Sequence, residues 1–170
     1  MPSWCENKIT ITAETEGEMA AFLDAVSGRN YPFDVRAICP VPAILYHLGC
    51  SESGFFEFHV HGKIVTVPVW FDRRDEHGEV IERRPFTPAE LMTYQNQPYA
   101  NELDWRMSNW GGEAEPWEVE LRRMGKLTYI SFRTNDGPPK GIIDTLRKRF
   151  PELSITVSFD IFDLREKGSY

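Results

Sequence analysis

Three shortages narrow the reading of this chain before any motif is considered. Cysteine is scarce, with Cys5, Cys39 and Cys50 as the whole supply. An odd number at irregular spacing is not a disulfide framework, so free thiols in a reducing compartment are expected. Three scattered thiols also fall short of the four that hold an iron–sulfur cluster of the usual kind. Long apolar runs are missing, and nothing approaches the roughly 18 consecutive residues of a membrane span. The opening Met1-Pro2-Ser3-Trp4-Cys5-Glu6-Asn7 has no basic region followed by an apolar run. No signal peptide is therefore expected, and the expected compartment is the cytoplasm. Basic charge is the third shortage: 19 Lys and Arg face 26 Asp and Glu, a net charge of −7. That disfavours general attraction to a nucleic-acid backbone. The pairs Arg73-Arg74, Arg83-Arg84 and Arg122-Arg123 each have acidic neighbours and read as solvated charge.

Catalytic signatures are missing as well. There is no phosphate loop and no dinucleotide fingerprint, so no cofactor is expected. Gly49-Cys50-Ser51-Glu52-Ser53 differs from a G-x-S-x-G nucleophile elbow at its fifth position and reads as a loop. Cys5 at a strand start fits small, apolar core filling better than a reactive thiol. Glu113, Glu115, Glu118 and Glu120 could supply an acid–base pair, but Glu118 and Glu120 alternate onto the outward side of a strand. The balance is against an enzyme.

What is present is 41% apolar and 13% aromatic residues in a chain of 170, enough for one domain with its own core. In residues 7–12, Ile9 and Ile11 alternate with Lys8, Thr10 and Thr12, the period of a half-buried strand. A helix follows over 16–26, with Met19, Phe22, Leu23 and Val26 on one face. Thr15 and Glu18 form a capping-box pattern ahead of it. Towards the other end, Trp117, Val119 and Leu121 alternate with Glu118, Glu120 and Arg122. A turn at 123–126 leads to a strand over 127–134 with Thr128, Ile130 and Phe132 on one side. Pro138-Pro139 opens a helix carrying Ile142, Ile143, Leu146 and Phe150, which Pro151 stops. Ile155, Val157 and Phe159 then mark a last strand.

The order is strand, helix, strand, strand, helix, strand. The expected class is α+β, a ferredoxin-like βαββαβ antiparallel sheet with two helices on one face. The core is expected over 1–32 and 113–162 of a single domain, with an insertion over 33–112 and a short tail at 163–170. Within the insertion, 55–60 and 63–71 read as a hairpin turning at His61-Gly62, and 79–84 as a third strand. Thr87-Pro88-Ala89-Glu90 starts a helix that ends near Gln97-Pro98.

Several short motifs resemble a known family. They are the opening Met1-Pro2-Ser3-Trp4-Cys5-Glu6-Asn7, Phe33 with Ile38-Cys39-Pro40-Val41-Pro42, and Trp105-Arg106-Met107-Ser108-Asn109-Trp110-Gly111. Phe132-Arg133-Thr134 with Pro138-Pro139 and Phe150-Pro151 completes the set. Together they resemble the YubB-like proteins of bacterial plasmids and phages, which carry a ferredoxin-like domain. The resemblance implies a fold and a setting on mobile elements, and no catalytic residues. The chain departs from the pattern at Gly112–Trp117 and at Asn135-Asp136-Gly137, where relatives tend to carry Thr-Lys-Trp and a Trp.

Three sites are candidates. Trp105, Arg106, Asn109, Trp110 and Trp117 form a distinctive Trp- and Arg-rich stretch. Such residues are enriched at binding hot spots, although Trp residues also lock a segment onto a sheet. A nucleic-acid surface would use Tyr129 and Arg133 on the outer sheet face, a platform with one stacking residue. The third candidate is His47, Cys50, His59 and His61, weak metal ligands whose spacing matches no zinc signature. A non-enzymatic, protein-binding role is the leading expectation. Single-stranded nucleic-acid binding and a metal-dependent enzyme are the alternatives.

Overall fold

The computed structural model describes residues 4–28, 31–49, 55–60, 63–68, 70–75, 77–113, 115–135, 137–161 and 166–170, with 55–60 and 63–68 as backbone. In chain order the elements are β1 (Trp4–Thr12), α1 (Glu16–Val26), α2 (Val35–Ile38), α3 (Ala43–Tyr46) and β2 (Leu48–Gly49). β3 (Phe55–Val60), β4 (Lys63–Pro68), β5 (Trp70–Arg74), β6 (Val80–Pro85), α4 (Pro88–Gln95) and α5 (Glu102–Asn109) follow. The chain continues with β7 (Trp117–Met124), β8 (Leu127–Asn135), α6 (Lys140–Arg149), β9 (Ser154–Ile161) and β10 (Glu166–Ser169). Residues 1–40 and 106–170 form one compact unit, and 41–105 form another.

The first unit is a five-stranded antiparallel sheet in the order β10-β9-β1-β8-β7. Its period-2 strands sort their residues cleanly. Cys5, Ile9 and Ile11 of β1, Ile130 and Phe132 of β8, and Ile155 and Val157 of β9 are buried on one face. Met19, Phe22 and Val26 of α1 and Ile142, Ile143 and Leu146 of α6 are buried with them. Phe22 meets Phe150 edge-on at 5.2 Å, and Phe33 stacks on Phe132 at 5.6 Å. Thr15 and Glu18 make the expected capping box on α1, which satisfies two of the backbone donors that a helix start leaves open. The buried Asn7 and Thr134 are neutral and paired. Asn7 Nδ2 donates to Thr134 Oγ1 at 2.8 Å, and the Thr134 hydroxyl donates to the Gly137 carbonyl at 2.6 Å.

The residues expected to form a tail over 163–170 instead contain a strand. β10 pairs with β9, setting Lys167 opposite Asp160 at 2.7 Å, and Tyr170 exchanges backbone bonds with Val157. Its short, charged sequence has no apolar alternation to announce it.

The second unit holds a three-stranded sheet, β2-β5-β6, and the β3-β4 hairpin. The strand expected over 63–71 is two strands. β4 ends at Pro68, which has no N–H for a continuing ladder, and Trp70 instead pairs with Gly49 and Pro85. Asp72 is buried on this sheet and accepts from Arg83 twice, at 2.7 and 2.8 Å. Arg83 holds its carboxyl below the usual carboxylate range. Gly49 makes room for that carboxylate, since a Cβ there would lie 2.7 Å from it. α4 begins with the expected Thr87–Glu90 capping box. Arg84 grips Glu90 through two bonds of 2.6 and 2.7 Å, which pushes the Glu90 carboxyl down to about 2.

Candidate functional site: the outer sheet face

Among the described residues, α1 and α6 cover one side of the first-unit sheet. The other side is written in cross-strand rows. One row runs Asp160, Glu6, Arg133 and Trp117, the next Ser158, Lys8, Ser131 and Glu120, and the third Thr156, Thr10, Tyr129 and Arg122.

Trp117 joins this face through a β-bulge. Simple alternation puts it on the opposite side from Glu118 and Glu120. The register of β7 on β8 slips between Trp117 and Glu120, and Glu118 takes a φ of 50°. That is the left-handed region, unusual for a residue with a side chain. A bulge adds one residue to a strand and re-aims what precedes it, so Trp117 lands opposite Arg133 on the outer face.

The result is a cluster around one guanidinium. Arg133 lies 2.7 Å from Glu118 Oε2 and 3.4 Å from Glu6 Oε1, and its guanidinium sits 5.6 Å from the Trp4 ring centre. Trp4 and Trp117 meet edge-to-face at 6.3 Å. Trp4 is half exposed. Beside the cluster lie two open grooves that share Lys8, Glu120 and Ser131. The larger, about 580 Å³, reaches Arg122 and Tyr129, and the smaller, about 210 Å³, reaches Glu6, Glu118 and Arg133. Tyr129 is 44% exposed. The face is charge-balanced: Glu6, Glu118, Glu120 and Asp160 offset Lys8, Arg122, Arg133 and Lys167.

The other candidates from the sequence fall elsewhere. Trp105 and Trp110 are buried. The Trp110 indole donates to the Cys39 carbonyl at 2.8 Å. Arg106 lies over the Trp110 ring at 4.8 Å and within 3.6 Å of Glu115, which also takes Arg36 at 2.5 Å. Asn109 sits against the start of α6: a Cβ on Gly141 would lie 2.0 Å from the Asn109 carbonyl oxygen. This end of α5 is a packed bracket, and of the five Trp- and Arg-rich candidates only Trp117 reaches the outer face. Trp4, Glu6 and Glu118 complete the cluster. The alternation of Ile9 and Ile11, run back through Asn7 and Cys5, would have placed Glu6 and Trp4 there.

Cys50 and His61 lie outside the described residues, as does the side chain of His59. His47 Nδ1 lies 2.9 Å from the Asp72 carbonyl oxygen. Among the described residues no three His, Cys, Asp or Glu side chains gather to hold a metal. Burial pushes the Cys5 and Cys39 thiols up, away from the thiolate form a nucleophile needs. No described helix is long and apolar enough to cross a membrane. Compared with family models, curated proteins and solved structures, the chain matches none.

Proposed function

We propose that this is a non-enzymatic accessory protein of a bacterial mobile element, acting by binding another protein through the outer sheet face. The strand order β9-β1-β8-β7, with α1 and α6 on the opposite side, supports a ferredoxin-like core as the scaffold. The resemblance of the short motifs to YubB-like proteins supports the setting. The observation that carries the binding reading is the Arg133 cluster. Trp and Arg in close contact, on an open face with balanced charge, have the chemistry of a protein-interface hot spot. A polyanion would meet Glu6 and Glu118 already holding the central cation.

The test is affinity capture from bacterial lysate with tagged wild-type, Trp4→Ala and Arg133→Ala chains. One captured partner, lost with either substitution, is the expected result. Empty captures together with turnover of some substrate would overturn the reading, as would a partner indifferent to both changes.

One observation favours a second reading, single-stranded nucleic-acid binding. Trp4 on β1 and Tyr129 on β8 stand on the first and third core strands, where RNA-recognition modules carry their stacking residues. Filter binding at low salt separates the two. No retention of single-stranded DNA or RNA at about 50 µM, near weak non-specific affinities, removes the second reading.

A further inference from the structure

We infer that the free edge of β7 pairs with the same strand of a second copy, joining two first-unit sheets into one continuous antiparallel sheet. β7 ends the strand order and has β8 as its single neighbour among the described strands. Glu120 and Arg122 alternate along it on the outer face, both exposed. Directly across on β8 they meet Ser131 and Tyr129, neither charged. Neither Glu120 nor Arg122 has an ion-pair partner among the described residues. Two opposite charges two residues apart on an open edge are half of a self-complementary pattern.

The register follows from charge. A two-fold antiparallel pairing that keeps outer face with outer face must be centred on a residue, because a one-residue slip exchanges the faces. Centred on Leu121, it sets Glu120 opposite the second copy's Arg122, and Arg122 opposite its Glu120. Centred on Glu120 or on Arg122, it sets like charges against each other. Opposite charges directly across antiparallel strands stabilise the pair, and like charges destabilise it. Leu121 meets its own copy on the helix side, where it is half-buried in the single chain. The bulge between Trp117 and Glu120 limits the shared ladder to about 119–123, so the dimer is small and reversible. Both outer faces then point the same way, and each larger groove, lined by Glu120 and Arg122, gains the second copy's charges at its rim.

Sedimentation equilibrium of the full chain, from about 5 to about 500 µM, tests this. The expected wild-type result is a concentration-dependent dimer. Glu120→Arg and Arg122→Glu should each weaken it about ten-fold, because by symmetry each substitution acts at two places. The double variant should restore the dimer. An equimolar mixture of the two single variants should form a heterodimer, which also shows that both are folded. A wild-type chain that is monomeric throughout overturns the inference. So does a dimer indifferent to the single substitutions, or one that neither the double variant nor the mixture restores.

Discussion

The two units hold together by different means. Under the first-unit sheet lie Ile9, Ile11, Met19, Phe22, Ile130, Ile142, Ile143 and Leu146, and the buried polar groups there are the neutral Asn7, Thr128 and Thr134. Among the described residues Asp72 is the one buried charge, and it belongs to the second unit. That unit also carries the Arg84–Glu90 and Arg73–Glu82 pairs. Apolar burial does not titrate, whereas an ion pair is lost when either partner is neutralised and is screened by salt. Both units carry ion pairs nearer the surface, Arg133–Glu118 and Lys167–Asp160 in the first and Arg84–Glu90 and Arg73–Glu82 in the second, so the difference in pH response should come from the buried Asp72 and the depressed Glu90 of the second.

The largest expected effect tests the apolar side. Phe22→Ala removes a fully buried ring and should cost about 3–5 kcal/mol in denaturant unfolding. A cost below about 1 kcal/mol would mean the first unit does not depend on this core. Asp72→Asn comes next. It weakens the two charge-assisted hydrogen bonds that Arg83 donates to the carboxylate and should cost about 2–3 kcal/mol. Hydrogen exchange should show the loss in 41–105, with the β1 and β8 amides unchanged. Equal loss in both units would break the comparison.

Acid should sharpen it. Glu90 has its pKa depressed to about 2 from an ordinary 4.5. Its contribution is complete above pH 4.5 and is lost as pH falls through about 2. Glu90 is partly solvated, so screening limits this contribution to about 1 kcal/mol. Glu90→Gln should cost that much at pH 7 and almost nothing at pH 2, read by exchange of the α4 amides. A cost that stays constant with pH would assign the residue to packing alone. Arg73→Ala should be the smallest change, below about 0.5 kcal/mol, because its pair with Glu82 is exposed on both sides.

Alternation and capping were readable where they were strong. Ile9 and Ile11, the Thr15–Glu18 box, the stripe of Ile142, Ile143 and Leu146, and Ile155 with Val157 all occupy the elements their spacing implies. Three features were not readable, for separate reasons. The bulge at Glu118 is a backbone event with no glycine to mark it, so Trp117 could not be placed by counting. β10 is stabilised by pairing with β9, and its own sequence is polar. Asp72 looks like one more acid in a charged run until the β5–β6 register sets it opposite Arg83. The candidate site was legible in part. Tyr129 and Arg133 were visible on the outer face, while the Trp110 region looked like a surface because Trp and Arg serve burial and recognition equally well.

The two rims of the five-stranded sheet are unequal. β10 spans four residues, with Lys167 held against Asp160. A short rim that carries a lysine is a poor template for another chain. Unlimited end-to-end growth needs two receptive rims on every molecule, and here one is already blunted. Strand addition through this sheet therefore stops after a single joint. Growth through this sheet should give bounded particles, read by light scattering as a size that levels off with concentration.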